Sequence, residues 1–485
     1  MATVNKTSIR EEVDRLKQDF EKLCSEGKAS PEIQAVMNSM LLIVELILAV
    51  FLEKKTRKGN KNSSLPSSQT PKDETAKSDP KSNGKGKKVS GELGNTRTIE
   101  TTTISKAETC DVCGTSLDQT PSRGHERRTR IDIVFEKVVE HVDAEIKQCP
   151  NCAAEVKADF PEDMPGPLQY GTGLKAFAIH LIISQMVALN RVQKQISAMI
   201  GAVISEATLL KFVWRLYQAL EQWEAKSIES ILQAPSIHVD ETSFRVNRKN
   251  HWIHVYSSGG ITLKLLHRKR GKEAIVDLNI IPRYGGVIIH DCWASYLSYD
   301  HCGHGLCGSH LLRELTFIVD SNQYRWARNM QKLLQETCRK IAKREDKCLT
   351  EKEYANLQKR YRNILTRGDK ELPEIPPKPK GKRGKMAKSD AHNLWERLKN
   401  HEAAVLLFAR NPYVPFTNNR AERDLRMAKV KQKVSGCFRQ QRYADAYCRI
   451  SSYLQTMANK GVNPLVAIQL ALASEVPDVD SDWGE

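Results

Sequence analysis

Three acidic residues, far apart in the chain, each stand where a fold could present them to a ligand. The first is Glu422, in Asn418-Asn419-Arg420-Ala421-Glu422-Arg423-Asp424-Leu425-Arg426. This stretch reads as the start of a helix, with Asn as an N-cap whose side chain accepts an orphan backbone N–H. Glu422 falls in the first turn among three arginines, and Lys429, Lys431, Lys433, Arg439 and Arg442 follow. Taken alone, a carboxylate on such a surface is an ordinary ion-pair partner. Two upstream runs change that reading. Ser236-Ile237-His238-Val239-Asp240 and Val287-Ile288-Ile289-His290-Asp291 are both β-branched and both end in aspartate. An apolar strand with a carboxylate at its exposed tip is how a sheet presents a metal ligand. Asp240, Asp291 and Glu422, beside cationic surface suited to a polyanion, imply two divalent cations acting on a phosphodiester. Oxygen-only ligation of this kind suits Mg²⁺ or Mn²⁺. Glu241 should face the other side of its strand and take no part.

A second set of residues has metal-ligand spacing. Cys110-Asp111-Val112-Cys113 is answered by Cys149-Pro150-Asn151-Cys152. Two such knuckles can place four thiolates tetrahedrally around one structural Zn²⁺. The intervening Thr129 to Lys147 has β character (Ile131, Ile133, Phe135, Val138, Val139, Val142), so residues 101–160 read as a zinc ribbon-like module. Redox pairs or unrelated buried thiols are the competing readings.

Composition narrows the field. At 485 residues the chain is too long for one ordinary core, and a formal charge of +17 points toward nucleic acid or another anionic surface. Twelve cysteines scattered through a long charged chain suit a reduced, cytosolic setting better than a disulfide framework. No signal-peptide pattern opens the sequence. Its most apolar run, Met40 to Leu52, is short and contains Glu45, so no membrane span is expected.

The elements that must position these residues can be read from periodicity. In residues 1–52, Ile9, Val13, Leu16, Phe20 and Leu23 form an a/d seam, and Ser30-Pro31 starts a second helix reaching about Leu52. This segment pairs with itself or with a second subunit. Residues 53–100, poor in large apolar side chains, read as a flexible basic linker. Residues 161–234 are helical. There Arg191 to Ile200, Gly201 and a restart at Ser205 give helix-turn-helix spacing, with Lys211 and Arg215 as candidate DNA contacts and Leu209, Phe212, Val213, Trp214 and Leu216 as core. Any helical bundle has such turns, so packing alone also explains them.

After Pro235 the period switches to that of strands: Ile237 to Val246, Trp252 to Tyr256 and Thr262 to His267 make an antiparallel meander. A short helix over Gly271 to Leu278 then leads into the strand that ends at Asp291. The order β-β-β-α-β is that of an RNase H-like core, whose first and fourth strands lie side by side. That would set Asp240 beside Asp291. The fold class expected is therefore multidomain α+β: an RNase H-like α/β core over 235–474, with a helical insertion at about 311–410, preceded by the helical segment, the zinc module and the helical domain. Within the insertion, Lys378, Lys380, Lys382, Arg383 and Lys385 form a basic loop that either contacts phosphate or acts as a tether. His301, Cys302, His304, Cys307 and His310 are a second metal cluster or a packed one. Residues 475–485 are an acidic tail.

Ile237-His238-Val239-Asp240-Glu241-Thr242, Asp291-Cys292-Trp293-Ala294-Ser295-Tyr296, Cys307-Gly308-Ser309-His310-Leu311-Leu312-Arg313-Glu314-Leu315 and Asn418-Asn419-Arg420-Ala421-Glu422-Arg423 resemble the motifs of the IS66 family of bacterial insertion-sequence transposases. The resemblance extends over most of the chain. It implies DNA transposition, with Asp240, Asp291 and Glu422 as a DDE triad holding two Mg²⁺ or Mn²⁺ ions. It also implies terminal inverted repeats and target DNA as partners, a homodimer or higher oligomer on DNA, accessory proteins from the same element, and a cytoplasmic, nucleoid-associated location in a bacterium. Arg420, Arg423 and Arg426 join the expected DNA contacts. Cys307 and His310 match a Cys-x-x-His pair that many such transposases carry after their second aspartate. One position departs: the Asp-Asn-Asn that usually opens the last motif reads Thr417-Asn418-Asn419 here. Two other readings stay open, a zinc-containing DNA-binding regulator with an inactive core and an RNase H-like nuclease without transposition activity.

The cysteine spacing makes its own prediction. Purified protein should carry about one Zn²⁺ per chain, and Cys110→Ser with Cys149→Ser should remove it. Elemental analysis that finds no zinc, or zinc unchanged in the double variant, contradicts the module.

Overall fold

The computed structural model describes residues 6–26, 28, 30, 33, 34, 36–41, 44, 101–133, 135–374 and 388–479, with the backbone alone at 6–14. The described chain forms two compact units. One groups Gly308–Pro412 with the N-terminal residues, and the other holds the chain up to Cys307 and from Tyr413 onward. Among the described residues no helix is long and apolar enough to cross a membrane.

Helix α1 spans Lys6–Ser25. Along it Phe20 is buried while Leu16 and Leu23 are exposed. Residues 33, 34, 36–41 and 44 are helical, and the rest of the expected second helix, like the whole linker 53–100, lies outside the described residues.

In the cysteine module, β1 (Ile146–Gln148) pairs antiparallel with β2 (Glu155–Lys157). Among the described residues the β character expected over Thr129 to Lys147 is realised only at the last two. Ile131, Ile133 and Val138 are instead largely exposed. An alternating run becomes a strand only where a partner offers a ladder and a surface to cover, and no described strand lies beside this one.

Four helices come next: α2 (Thr172–Ile179), α3 (Leu189–Ile200), α4 (Glu206–Ala219) and α5 (Glu221–Gln233). Gly201 ends α3 in the left-handed conformation, and Ser205 caps α4 by accepting the Thr208 N–H. On α4, Leu209, Phe212, Val213 and Leu216 are buried, Trp214 is half-buried, and Lys211 and Arg215 are exposed. These helices share one continuous hydrophobic core with the sheet beyond them.

That sheet is mixed, with strand order β5-β4-β3-β6-β7. Strands β3 (Ser236–Val246), β4 (Lys249–Ser258) and β5 (Ile261–His267) form the antiparallel meander. Helix α6 (Lys272–Leu278) leads to β6 (Val287–His290), which lies parallel to β3. A short α7 (Ala294–Leu297) precedes β7 (Gly303–Leu306), parallel to β6. The fifth strand was not anticipated. Its two glycines carry no strand signal, but Gly303 and Gly305 lie where a Cβ would meet Val287, Ile289 and Val414 at 3.0, 3.4 and 2.9 Å respectively.

The insertion is helical, as expected: α8 (Gly308–Asn322), α9 (Arg325–Ala342), α10 (Glu351–Glu371), α11 (Asp390–Asn400) and α12 (Glu402–Leu406). A full capping box between Thr350 and Glu353 starts α10. Trp326, Met330, Leu333 and Leu334 form the buried stripe of α9.

The chain returns to the sheet unit as α13 (Asn419–Ser435), α14 (Gln441–Asn459) and α15 (Pro464–Leu472). Helix α14 covers β5, the sheet's edge. Its Ser452 and Thr456, one turn apart, accept the Lys264 and Thr262 backbone N–H groups at 2.8 and 3.1 Å, so the edge is not left open. Helix α13 packs on β3 and β4. Beneath it the buried Asp424 accepts the Ser257 and Thr262 hydroxyls at 2.7 and 2.9 Å, with the Arg420 guanidinium at 3.9 Å. Asp424→Ala would strand both hydroxyls and remove the negative charge facing the buried Lys264. A loss of about 3 kcal/mol is expected in denaturant unfolding; a loss under about 1 kcal/mol would show that this network does not hold α13.

Candidate active site

The register of β3 on β6 pairs Ser236 with Val287, Ile237 with Ile288 and His238 with Ile289. Carried on, it brings Asp240 beside Asp291, the residue just past the end of β6. Asp240 is not at a strand tip, as its apolar run suggested. β3 continues to Val246, because β4 pairs with it along that whole length, Asp240 opposite Val255. What ends at this level is β6, so Asp240 stands in mid-strand where its neighbour stops.

Asp291 opens a tight turn. Its Oδ1 accepts the Trp293 N–H at 3.1 Å, and the Cys292 N–H reaches His290 Nδ1 at 3.1 Å. Cys292 has φ +71°, a left-handed conformation that costs a non-glycine residue free energy and is seen most often at functional turns.

Glu422 lies in the first turn of α13, as expected. The capping is different. Asn418 is the N-cap, but its side chain caps nothing. Its amide donates to the Val239 carbonyl at 2.8 Å, and its oxygen pairs with His238 Nδ1 at 2.8 Å. Since the amide nitrogen is committed to Val239, the proton of the second bond sits on His238 Nδ1. Burial keeps His238 neutral by lowering its pKa. The Asn418 backbone N–H meets Cys307 Sγ at 3.1 Å. A Glu422 oxygen lies within 4.8 Å of that sulfur, so the carboxylate stands near the end of β7.

Asp291 and Glu422 both lie near enough for their charges to act on Asp240, although among the described residues the three carboxylates do not all come within 4.8 Å of one another. The carboxyl of Asp240 is held well above the usual range, first by burial, then by the charges of Glu241 and Asp291, with Glu422 also raising it. A hydrogen bond from the Glu241 N–H to Asp240 Oδ1, 2.8 Å, opposes this only in part. Half-buried like charges on oxygen donors are of the kind that a divalent cation neutralises.

The other expected site residues divide. Arg423 and Arg426 are exposed on α13, and Lys211 and Arg215 on α4. Arg420 is not an open contact: its guanidinium donates to the Ile261 carbonyl at 2.9 Å and helps seat the helix. Lys378, Lys380, Lys382, Arg383 and Lys385 lie outside the described residues. Within the second cluster, His304 Nδ1 meets His290 Nε2 at 3.2 Å, His301 reaches the Ile281 carbonyl, and the Cys302 thiol, pushed up to about 11 by burial, donates to the Tyr284 carbonyl. His310 belongs to α8 in the other unit. Sequence reasoning missed Lys429 as part of the site. It stands two turns beyond Glu422 on the same helix face, its Nζ 3.3 Å from Ser243 Oγ, and Asp240 acts to raise its pKa against the larger, lowering effect of burial.

Each cysteine pair is built as a knuckle. The N–H after the second cysteine returns to the first cysteine's carbonyl, Gly114 to Cys110 at 2.8 Å and Ala153 to Cys149 at 2.9 Å, and both returning residues are left-handed. Cys113 is lowered to about 7, chiefly by the Thr115 hydroxyl, and Cys149 is lowered by the backbone N–H groups of Cys152 and Asn151. Thiols of this kind are ready ligands. Among the described residues the two pairs stand apart rather than as one four-sulfur set.

A family model described as "Transposase IS66 family" matches residues 167–446, more than half of the chain and all three acids. The protein is thus of the transposase class, and the chain belongs to the IS66 family. No curated protein matches it.

The crowding of Asp240 has a consequence for stability. Its folded pKa lies above its unfolded one, so between the two the folded state binds more protons, and metal-free stability falls as pH rises through that window. Asp240→Asn removes this penalty. In EDTA the variant should exceed the parent's stability at pH 7 by about 1 kcal/mol or more, with the gap closing toward about pH 4, near the ordinary carboxylate value. Urea unfolding at both pH values would measure it; an asparagine variant no more stable at pH 7 would mean that the carboxylate is not under strain.

Proposed function

We propose that this IS66-family transposase binds the ends of its own element and carries out strand cleavage and strand transfer at Asp240, Asp291 and Glu422. One observation carries the reading. Acids from β3, from the end of β6 and from α13 lie near enough that the charges of Asp291 and Glu422, with that of Glu241, add to burial in suppressing the acidity of Asp240. The meander followed by two strands parallel to β3 supports an RNase H-like core.

The three carboxylates would hold two Mg²⁺ or Mn²⁺ ions, which when bound neutralise phosphate charge and make water or a 3′-OH a better nucleophile. The chain's own groups do the rest. Asn418 and Asp424 fix α13 on the sheet, so the position of Glu422 is set before DNA arrives. Lys429 supplies a cation near enough for Asp240 to act on it. Water attacks the scissile phosphorus and the 3′-oxygen leaves; the freed 3′-OH then attacks a target phosphodiester in the same way. Exposed Lys211, Arg215, Arg423 and Arg426, with the basic loop, would contact backbone phosphates. The cysteine knuckles would close on one structural Zn²⁺. Oligomerisation on DNA, accessory proteins of the element and a nucleoid-associated cytoplasmic location complete the proposal.

Incubation with the element's end sequences and Mn²⁺ tests it. Nicked and joined products are expected from the parent, while Asp240→Asn, Asp291→Asn and Glu422→Gln should each reduce both by at least about 1,000-fold and keep specific end binding. Cleavage without joining would favour a plain nuclease, and joining by Glu422→Gln would remove Glu422 from the site.

A further inference from the structure

A fourth acid beside the site has no part in the function just proposed. Glu241 is the residue after Asp240, so its side chain leaves β3 on the other face, yet it is only 2% exposed. One of its oxygens pairs with the Arg270 guanidinium at 2.7 Å, and the other accepts the Tyr296 hydroxyl at 2.6 Å. These partners come from different segments. Arg270 lies between β5 and α6, and Tyr296 belongs to α7, which begins three residues after Asp291.

Trp293 joins the two. The Arg270 guanidinium lies 4.6 Å from the Trp293 ring centre and 5.1 Å from that of Trp252, and Trp293 meets Tyr296 edge-on at 5.3 Å. On the other side Tyr296 packs 5.3 Å from the His290 ring. The residue before Asp291 and the second residue after it are thus both gripped by a cluster centred on one carboxylate.

Asp291 has need of such a grip. β6 ends at His290, so no ladder holds the residues beyond it. The next residue, Cys292, is in a strained conformation, and Asp240 repels Asp291. A buried carboxylate at Glu241 also adds to that repulsion, a cost that an amide or apolar side chain would avoid. We propose that Glu241 is a positioning residue: through Tyr296 and Arg270 it holds the Asp291 turn against β3, keeping Asp291 beside Asp240. The proposal rests on the reading of Asp240 and Asp291 as ligands of a divalent cation.

Binding of Mn²⁺ to the full-length protein, measured by the electron paramagnetic resonance of free Mn²⁺, tests it together with affinity for the element's ends. Tyr296→Phe keeps the ring packing and removes only the hydroxyl. It should weaken Mn²⁺ binding about 10-fold, the usual scale for loss of a group that orients a ligand, with end binding unchanged. Glu241→Gln should weaken Mn²⁺ binding at least as much; if it fails to fold, Tyr296→Phe decides. Asp291→Asn is the reference. If it loses Mn²⁺ while Tyr296→Phe and folded Glu241→Gln bind as the parent does, the positioning role is overturned and the proposed function stands. If Asp291→Asn itself binds Mn²⁺ normally, the cation site is wrong, and the positioning role fails with it.

Discussion

Helix α13 is pinned to a single strand at both of its ends, and the site depends on that constraint. At its start, Asn418 holds β3 through His238 and the Val239 carbonyl. Beyond its end, the Phe438 backbone donates to Arg245 of β3 and accepts from Asn247, the residue just past that strand. Between these anchors Ala421, Leu425 and Ala428 bury the apolar face, and Asp424 ties the middle to β4 and β5. Carboxylates left to themselves move apart, because like charges in a poorly solvated place repel strongly. A helix fixed at both ends removes that freedom.

The cost is concentrated where β6 stops and β3 runs on. Asp240 is half-buried with its acidity suppressed, Cys292 is left-handed, and Lys429 is drawn half out of water. Each is unfavourable on its own. The surrounding fold over-determines them: a long antiparallel ladder beneath Asp240, a sheet edge covered by the hydroxyls of α14, and one core that joins α2–α5 and α13–α15 to the sheet. Strain held in this way is characteristic of sites whose charges await a ligand.

Much of this was legible in the sequence, and the rest failed for a consistent reason. The meander, the short helix and the return strand come from local periodicity, and the likeness of their order to an RNase H-like core is what set Asp240 beside Asp291. Gly201 and Ser205 punctuate α3 and α4 as local capping chemistry requires. What local rules missed was decided by tertiary partners. Asn418 has the type and place of a capping residue, but Val239 and His238 compete for its amide and win. Glu241 alternates outward, yet Arg270 and Tyr296 close over it. Arg420 looks like a phosphate contact, and a carbonyl on β5 takes it. β7, with two glycines in its four residues, exists because parallel pairing with β6 and close approach to Val287 favour it. Conversely, the described residues from Thr129 to Glu145 found no strand partner, and only Ile146 and Lys147 at the end of that run joined a sheet.

The family model covers residues 167–446, and within that span the charges of Asp291 and Glu422 act on Asp240. The central claim is that these acids share bound metal. Iron-directed backbone cleavage tests it most directly: Fe²⁺ substituted for Mg²⁺, with ascorbate and peroxide, releases radicals that cut the chain within a few ångströms of the ion. Cuts clustered at Asp240, Asp291 and Glu422, all suppressed by excess Mg²⁺, are the predicted result. Cuts at only one of the three, or confined to other parts of the chain, would contradict a shared site.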